Sequence, residues 1–292
     1  MRLNFQVLTY FLAIANEESI TAACEVLHVT RPTVSRQISD LEKDLGVVLF
    51  ERGPRKITLT KEGLLFKRRA EEILSLINKT EKEIVQDSEE LEGTITLGGG
   101  ELRSVDFLSE KIVEFQKRHP KVFFEFQTTT SDIIKEQMDK GLLDMGLLLE
   151  PIEIDRYNYF RIPVKEIWCA MVSDKSKLAN KKRIKPADLI NEKFILPRRN
   201  NIKNELSSWL GTDITKLNIV AAHNLNSNSA VMVSKGLGTS LCIETDMIKY
   251  FPGIKVIPPE PELSARTVVA WKKNIPMNTA TEKFMEFLVS WK

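Results

Sequence analysis

Residues 30–37, with the sequence TRPTVSRQ, bring together side chains that can hydrogen-bond to the edges of DNA bases. Arg can hold guanine and Gln can hold adenine through two parallel hydrogen bonds, and Ser or Thr hydroxyls can meet a base or a phosphate. At helical spacing Val34, Ile38 and Leu41 form an apolar stripe, so the polar side chains fall on the remaining faces. The pattern indicates a helix with a buried back and a ligand-contacting front.

The residues before this stretch predict the rest of a helix-turn-helix. An amphipathic helix ends near Asn16, and Ser19 can cap a second helix through Leu27. A short HVT turn then leads to Thr30, which can cap the third helix. This arrangement places the N-terminal half of its second helix against the major groove. The alternative is a surface helix of a small bundle that binds no ligand.

The next segment predicts a β-hairpin with a basic tip. Two short β segments, residues 47–50 and 57–60, are joined by a Gly-Pro turn. A cationic hairpin beside a helix-turn-helix is a wing, whose Arg and Lys suit phosphates or the minor groove. The formal net charge of the whole chain is only +2, so the positive charge must be concentrated in a local patch of the surface. We expect DNA contacts from Thr30, Arg31, Pro32, Thr33, Ser35, Arg36, Arg52, Arg55 and Lys56.

The run TRPTVSRQISDLEKDLGVVLFERGPRKITLTKEG resembles the N-terminal module of LysR-type transcriptional regulators. The family's elements Ile-x-x-Leu-Glu, Leu-Gly, Leu-Phe-x-Arg and Leu-Thr-x-x-Gly stand here at residues 38–42, 45–46, 49–52 and 59–63. The chain departs from the family at Arg31, where Gln is frequent, and at Glu62, where Ala is favoured. The departure at Arg31 affects which base the helix would prefer, and the departure at Glu62 is a variation at the surface.

The resemblance implies a sequence-specific transcriptional regulator that binds double-stranded DNA at an operator with paired half-sites. It also implies a small-molecule effector, a homodimer or homotetramer, and RNA polymerase as a further candidate partner. Residues 61–92 predict a linker helix with apolar positions at alternating spacings of four and three, which is typical of helix pairing. The alternative is packing on the chain's own next domain. We expect dimer contacts from Phe66, Ile73, Ile77 and Ile84.

After Gly93 the pattern changes to alternating strands and helices, which predicts an α/β unit. The final strand and helix have no sheet of their own and are expected to return to the first lobe. The resemblance therefore implies a two-lobed effector domain similar to periplasmic solute-binding proteins. The expected fold is α/β and multidomain. Its parts are a winged helix-turn-helix at residues 1–60, a linker helix at 61–92 and an effector domain at 93–292, with lobe I at 93–149 and 266–292 and lobe II at 152–264.

A ligand in such a fold belongs between the lobes, at the carboxyl ends of strands. Hydroxyls, amides, Arg and backbone N–H groups near helix starts would suit a small polar molecule, with an anion favoured. The alternative is a set of ordinary polar loops that bind nothing, and Glu101 would suit an amine better than an anion. The candidate effector residues are Gly99, Gly100, Glu101, Thr128, Thr129, Thr130, Arg198, Arg199, Asn200, Asn224, Asn226 and Ser227.

Catalytic motifs do not emerge from the sequence. GGGELR is not a dinucleotide fingerprint, because Arg103 occupies the third glycine position. No Gly-x-Ser-x-Gly, phosphate-loop or His-Glu-x-x-His motif occurs, and His28, His119 and His223 lie on separate segments. The three cysteines have no metal or disulfide spacing. We therefore expect no enzyme, no cofactor and no metal.

The N-terminal residues imitate a weak secretory signal, but Asn4, Gln6 and Thr9 interrupt the apolar run. No segment approaches the roughly 20 apolar residues of a membrane span. We expect a soluble, cytoplasmic protein without membrane contact. One rival class is a secreted solute-binding protein with an atypical N-terminus, and another is an α/β enzyme with an extra helical domain. The first ninety residues argue against the solute-binding protein, because it has no use for a recognition helix and wing.

Overall fold

The computed structural model describes residues 3–53, 56–84, 90–150, 152, 155–198 and 200–291, and for residues 52, 82–84 and 200–202 it describes the backbone alone. The chain divides into two compact units, Met1–Gln86 and Asp87–Lys292. None of the described helices combines the length and the apolar character that a membrane crossing requires.

The N-terminal unit is a helical bundle with a small hairpin. Its elements are α1 (Phe5–Glu17), α2 (Ile20–Leu27), α3 (Arg31–Leu45), β1 (Phe50–Arg52), β2 (Ile57–Leu59) and α4 (Lys61–Ile84). The apolar stripe of α3, formed by Val34, Ile38 and Leu41, is buried against α1, as the spacing predicts. Phe11 of α1 is fully buried, and its ring lies 4.9 Å from that of Phe50. Burial of this stripe fixes which face of α3 remains outside.

Local hydrogen bonds fix where these helices begin. The side chain of Asn4 accepts from Val7 N, and that of Ser19 accepts from Ala22 N, so both residues cap their helices. Thr30 occupies the N-cap position of α3 but makes no side-chain cap hydrogen bond. Its hydroxyl instead lies 2.8 Å from the hydroxyl of Thr33. The predicted cap position is therefore correct, whereas the predicted capping bond is not formed.

The wing is held by contacts at both of its ends. Glu42 of α3 accepts hydrogen bonds from Leu49 N at 2.7 Å and Phe50 N at 3.1 Å. Ile57 N donates to Glu18 O at 2.9 Å, which ties β2 to the end of α1. Because these backbone groups bond to the helices, the ladder between the strands is short and β1 begins at Phe50 rather than at residue 47.

The second unit alternates strands and helices. Its first part contains β3 (Glu92–Gly99), α5 (Ser104–Arg118), β4 (Lys121–Thr128), α6 (Ser131–Asp139), β5 (Met145–Leu149) and β6 (Tyr157–Ser173). Its second part contains α7 (Pro186–Leu189), β7 (Lys193–Pro197), α8 (Asn200–Leu210), β8 (Asn218–His223), α9 (Asn226–Ser234), β9 (Thr239–Ile243), α10 (Asp246–Lys249), β10 (Ile254–Ile257), β11 (Ser264–Lys272) and α11 (Thr279–Ser290). Short 3-10 turns occupy Lys177–Asn180 and Ile214–Lys216.

The described strands of this unit form one hydrogen-bonded series in the order β4-β3-β5-β11-β6-β9-β7-β8, and β10 pairs with β6. In lobe I, β3 is parallel to β4 and β5, while β11 runs antiparallel to β5. In lobe II, β7 is parallel to β8 and β9. The long strand β6 belongs to both lobes, because its first part pairs with β11 and its last part with β9 and β10.

Because of this pairing, the chain passes from lobe I to lobe II later than the sequence predicts. The sequence placed it at residues 149–152, yet residues 157–161 and 165–167 of β6 still pair with β11 in lobe I. The pairing with β9 starts at Trp168. Within β6 the pairing partner changes from β11 to β9 without a turn or a glycine. The sequence therefore carries no sign of the passage between lobes, and its patterns place that passage too early. The C-terminal strand β11 pairs with β5 in lobe I.

Each lobe buries its own apolar core. Lobe I packs Leu97 of β3, Phe115 of α5 and Phe284 of α11 together, with ring centroids of the two phenylalanines 5.1 Å apart. Lobe II packs Trp168 of β6 with Leu206 of α8. The fold is thus a winged helix-turn-helix with a long helix, followed by a two-lobed α/β unit.

Replacement of Glu42 by Ala should destabilise the N-terminal unit by about 1–3 kcal/mol, because Leu49 N and Phe50 N lose a charged acceptor. Denaturant unfolding would measure this loss. Glu62→Ala is the matched control, since Glu62 is exposed at the start of α4. Equal stability of the two variants would show that Glu42 does not hold the wing.

Candidate DNA-binding face and cavity between the lobes

The front of α3 is exposed in the way that the sequence predicts. Thr30, Arg31, Pro32, Thr33 and Arg36 are exposed, and Ser35 is half-buried. The Arg36 side chain is 85% exposed, and its Nε lies 3.9 Å from the carboxylate of Asp40. Such a surface pair holds an Arg weakly, so its guanidinium can turn to a base or a phosphate.

The wing contributes a cation that already has a partner. Lys56 Nζ lies 3.0 Å from Glu18 Oε2, in an ion pair whose side chains are both more than half exposed. The contact connects the wing to the end of α1 and is weak enough for DNA to replace. Arg55 and the side chain of Arg52 lie outside the described residues.

The long helix α4 has a mixed surface. Phe66 packs on the core of its own unit, with its ring 4.7 Å from that of Phe11. Ile73 is 42% exposed, Ile77 is half-buried, and the side chain of Ile84 lies outside the described residues. Exposed apolar side chains that the sequence analysis did not select are Leu64, Leu65 and Leu76.

A cavity of about 90 Å³ lies between the two lobes of the second unit. Six predicted effector residues line it: Gly100, Glu101, Thr129, Thr130, Asn224 and Asn226. They come from the ends of β3, β4 and β8 and from the start of α9. The carboxyl ends of strands from both lobes therefore meet at one cavity, as the sequence analysis expected.

Other predicted residues lie away from the cavity wall. Gly99 is buried, Thr128 and Arg198 are exposed, and Ser227 sits one residue further into α9. Arg199 and the side chain of Asn200 lie outside the described residues. Lining residues that sequence reasoning missed are Leu102, Ser131, Leu149, Trp168, Pro197, His223, Leu225, Cys242 and Ile243.

Glu101 makes a contact that its position in the sequence does not reveal. Its Oε2 accepts hydrogen bonds from Asn226 N and, at 3.1 Å, from Ser227 N. These are the first backbone N–H groups of α9, where the helix dipole favours negative charge. A carboxylate of lobe I thus caps a helix of lobe II across the cavity.

His223 and Trp168, which sequence reasoning missed, lie in strands and contribute polar groups to the cavity wall. His223 is 5% exposed, and burial lowers the pKa of its imidazole below the usual value. Its Nδ1 lies 3.1 Å from Leu225 O and its Nε2 lies 3.4 Å from Ser240 Oγ. Trp168 is 1% exposed, and its Nε1 has no hydrogen-bond acceptor in the part of the chain that the structure describes.

The cavity wall is therefore polar at its helix starts and aromatic on one side. Such a wall can bind and orient a small molecule through hydrogen bonds. Within the described ranges no three His, Cys, Asp or Glu side chains are placed to hold a metal ion.

Family models match both units. The model described as "Bacterial regulatory helix-turn-helix protein, lysR family" matches residues 5–64. The model described as "LysR substrate binding domain" matches residues 88–292. The second match alone covers more than half of the chain.

Similar proteins are transcriptional regulators. The HTH-type transcriptional regulator YtlI of Bacillus subtilis (strain 168) is 30% identical over 253 residues, which cover 85% of this chain and 80% of that protein. The Hca operon transcriptional activator HcaR of Escherichia coli (strain K12) is 27% identical over 278 residues, which cover 91% of this chain and 90% of that protein. The structure of CbnR, a LysR family transcriptional regulator, shares the fold with a TM-score of 0.76, at 20% identity and 98% coverage of both chains.

A winged helix-turn-helix joined to a two-lobed effector-binding unit defines a class of DNA-binding transcription regulators. This chain belongs to the LysR family of that class. The helix-turn-helix match argues against the solute-binding protein that the sequence analysis kept as a rival class.

The glycines at the end of β3 should differ in their tolerance of a side chain. A Cβ at Gly98 would lie 3.0 Å from Cγ1 of the fully buried Ile134, whereas a Cβ at Gly100 meets only Leu102 Cγ at 3.8 Å and Thr129 O at 3.9 Å. We expect Gly98→Ala to cost about 1–3 kcal/mol through overpacking and Gly100→Ala to cost less than about 0.5 kcal/mol. Thermal unfolding of the two variants measures the difference, and equal losses would contradict this description of the strand end.

Proposed function

We propose that the chain is a sequence-specific regulator in which α3 reads the major groove and the wing contacts phosphates or the minor groove. The observation that carries this proposal is the exposed polar front of α3 above a buried apolar back. Arg31 and Arg36 stand at the helix positions that reach base edges or phosphates. Family membership supports DNA as the ligand.

Loss of Arg31 or Arg36 should weaken operator binding. Loss of a base-reading Arg should cost about 1–3 kcal/mol and relax specificity at one position, whereas loss of a phosphate contact should weaken all sequences similarly and lower the salt slope by about one. Fluorescence anisotropy with a DNA fragment from upstream of the coding sequence would measure Arg31→Ala and Arg36→Ala. Lys43→Ala, at the far end of α3, is the matched control. Unchanged affinity and salt slope in both Arg variants would refute the assignment.

We further propose that the cavity between the lobes binds a small polar effector with an anionic group. Support comes from the residues of both lobes that line the cavity. It also comes from two helix starts in the cavity wall, that of α6 at Thr130 and Ser131 and that of α9 at Asn226. Backbone N–H groups at helix starts favour anions. Such a ligand alters DNA binding only through a difference in its affinity for two states, of about 1–3 kcal/mol.

Thr129→Val should weaken the response to the effector and leave DNA affinity without effector unchanged, because it removes a hydroxyl at nearly constant volume. Thr128→Val is the matched control, since Thr128 is exposed and does not line the cavity. A metabolite screen for thermal stabilisation identifies the effector, which is then titrated against operator binding. If Thr129→Val responds at the same effector concentration as the unmodified protein, the ligand binds elsewhere.

We propose that the chain acts as a homodimer that can form tetramers, with α4 as one contact. The exposed apolar side chains Leu64, Leu65 and Ile73 on α4 support this proposal. The outer strands of the second unit carry further exposed apolar side chains, Phe123 on β4 and Ile219 on β8. Two-fold symmetry would then require paired half-sites separated by about one helical turn of DNA or a multiple.

Ile73→Glu should lower the molar mass in solution, because a dimer contact would bury an unpaired charge. Ser75→Glu, on a different face of α4, controls for the added charge. Multi-angle light scattering compares both variants with the unmodified protein. A monomeric unmodified protein, or an unchanged mass in Ile73→Glu, would rule out the contact.

We propose a cytoplasmic regulator that is not an enzyme, and that contacts RNA polymerase at its promoters. Its functional boundaries are a DNA-binding segment at residues 1–60, a linker at 61–92 and an effector segment at 93–292. The family matches at residues 5–64 and 88–292 support a division of this kind.

A further inference from the structure

We infer that Glu101 is an internal ligand of the cavity between the lobes, occupying the position that a carboxylate of the effector takes when it binds. The inference rests on the proposed effector function and specifies its chemistry. It makes Glu101 a specificity-determining residue, because only a ligand that displaces a carboxylate can use the start of α9.

The contact has the geometry of an anion site that is already filled. Glu101 Oε2 accepts from two successive backbone N–H groups, those of Asn226 and Ser227. Successive N–H groups at a helix start form the arrangement in which proteins bind carboxylates and phosphates. Here the anion comes from a residue 125 positions away in the chain and in the other lobe.

A second observation indicates a ligand that carries a hydrogen-bond acceptor. Trp168 lines the same cavity, and its buried Nε1 has no acceptor within the described residues. A buried indole N–H that lacks an acceptor is costly, so a ligand that supplies one is favoured. A carboxylate provides acceptor sites for both the helix start and an indole N–H.

The cavity is small for a metabolite. Its volume is about 90 Å³. Ligand sites for metabolite-sized molecules hold several hundred Å³, on the order of 300–1,000 Å³. A metabolite-sized ligand would gain room if Glu101 left the start of α9 or if the lobes separated, and either change would break the two hydrogen bonds of Glu101 to Asn226 N and Ser227 N.

The second helix start in this region provides an internal comparison. Arg103 N and Ser104 N, at the start of α5, donate to the fully buried Glu166 at 2.8 Å and 3.0 Å. Glu166 also accepts from Thr267 Oγ1 at 2.8 Å. That carboxylate is fixed within the strands, whereas Glu101 is half-exposed at the cavity wall and can be replaced.

The test is chemical rescue of Glu101→Ala in the full chain by acetate. Hydrogen exchange at the amides of Asn226 and Ser227 should become about tenfold faster or more, since they lose a charged acceptor. Sodium acetate, compared with sodium chloride at equal ionic strength, should restore slow exchange in a saturable manner in the variant. The unmodified protein should not respond. The amides of Arg103 and Ser104 are the internal reference, and Glu110→Ala, an exposed carboxylate of α5, is the control variant.

Unchanged exchange at Asn226 and Ser227 in Glu101→Ala would overturn the inference, as would an accelerated exchange that acetate does not slow. Glu101→Gln covers the case in which the Ala variant does not fold. It should show intermediate acceleration without rescue, and exchange equal to that of the unmodified protein would also overturn the inference. The measurement uses neither DNA nor an effector, so its failure is distinguishable from failure of the proposed regulatory function.

Discussion

The pairing of β6 with β11 is the interaction on which the second unit depends. These antiparallel strands join lobe I, where β11 also pairs with β5, to lobe II, where β6 pairs with β9. The buried Glu166 strengthens the joint, because it accepts from Thr267 of β11 and from the start of α5. The lobes therefore share strands, and a change in their relative angle must be accommodated along this pair.

The cavity follows from that arrangement. Strands from both lobes end on the same side of the shared pair, so loops that are distant in sequence face each other there. Glu101 then meets the start of α9, and His223 and Trp168 close the wall from within strands. The site combines polar groups at the helix starts and strand ends with apolar and aromatic side chains, which suits a small molecule with a charged group at one end.

The first ninety residues and the rest of the chain differ in how far the sequence alone predicts their structure. In the first ninety residues, caps, apolar spacing and turn residues act locally, so α3 and its exposed front could be predicted. In the effector unit, strand-end rules found Thr129 and Asn224, but not Trp168 or His223. Both lie within or at the end of strands, and their approach to the cavity depends on sheet register between distant segments. The role of Glu101 was missed for the same reason.

We have proposed that the state of this cavity controls DNA binding by the N-terminal unit. The most direct measurement is operator affinity of Glu101→Ala without effector, in chloride and in acetate at equal ionic strength. Couplings between sites are typically about 5–150-fold. We expect the variant's dissociation constant to differ from that of the unmodified protein by at least about fivefold and to return towards it in acetate. Identical operator affinity of the variant and the unmodified protein in both salts would contradict the claim.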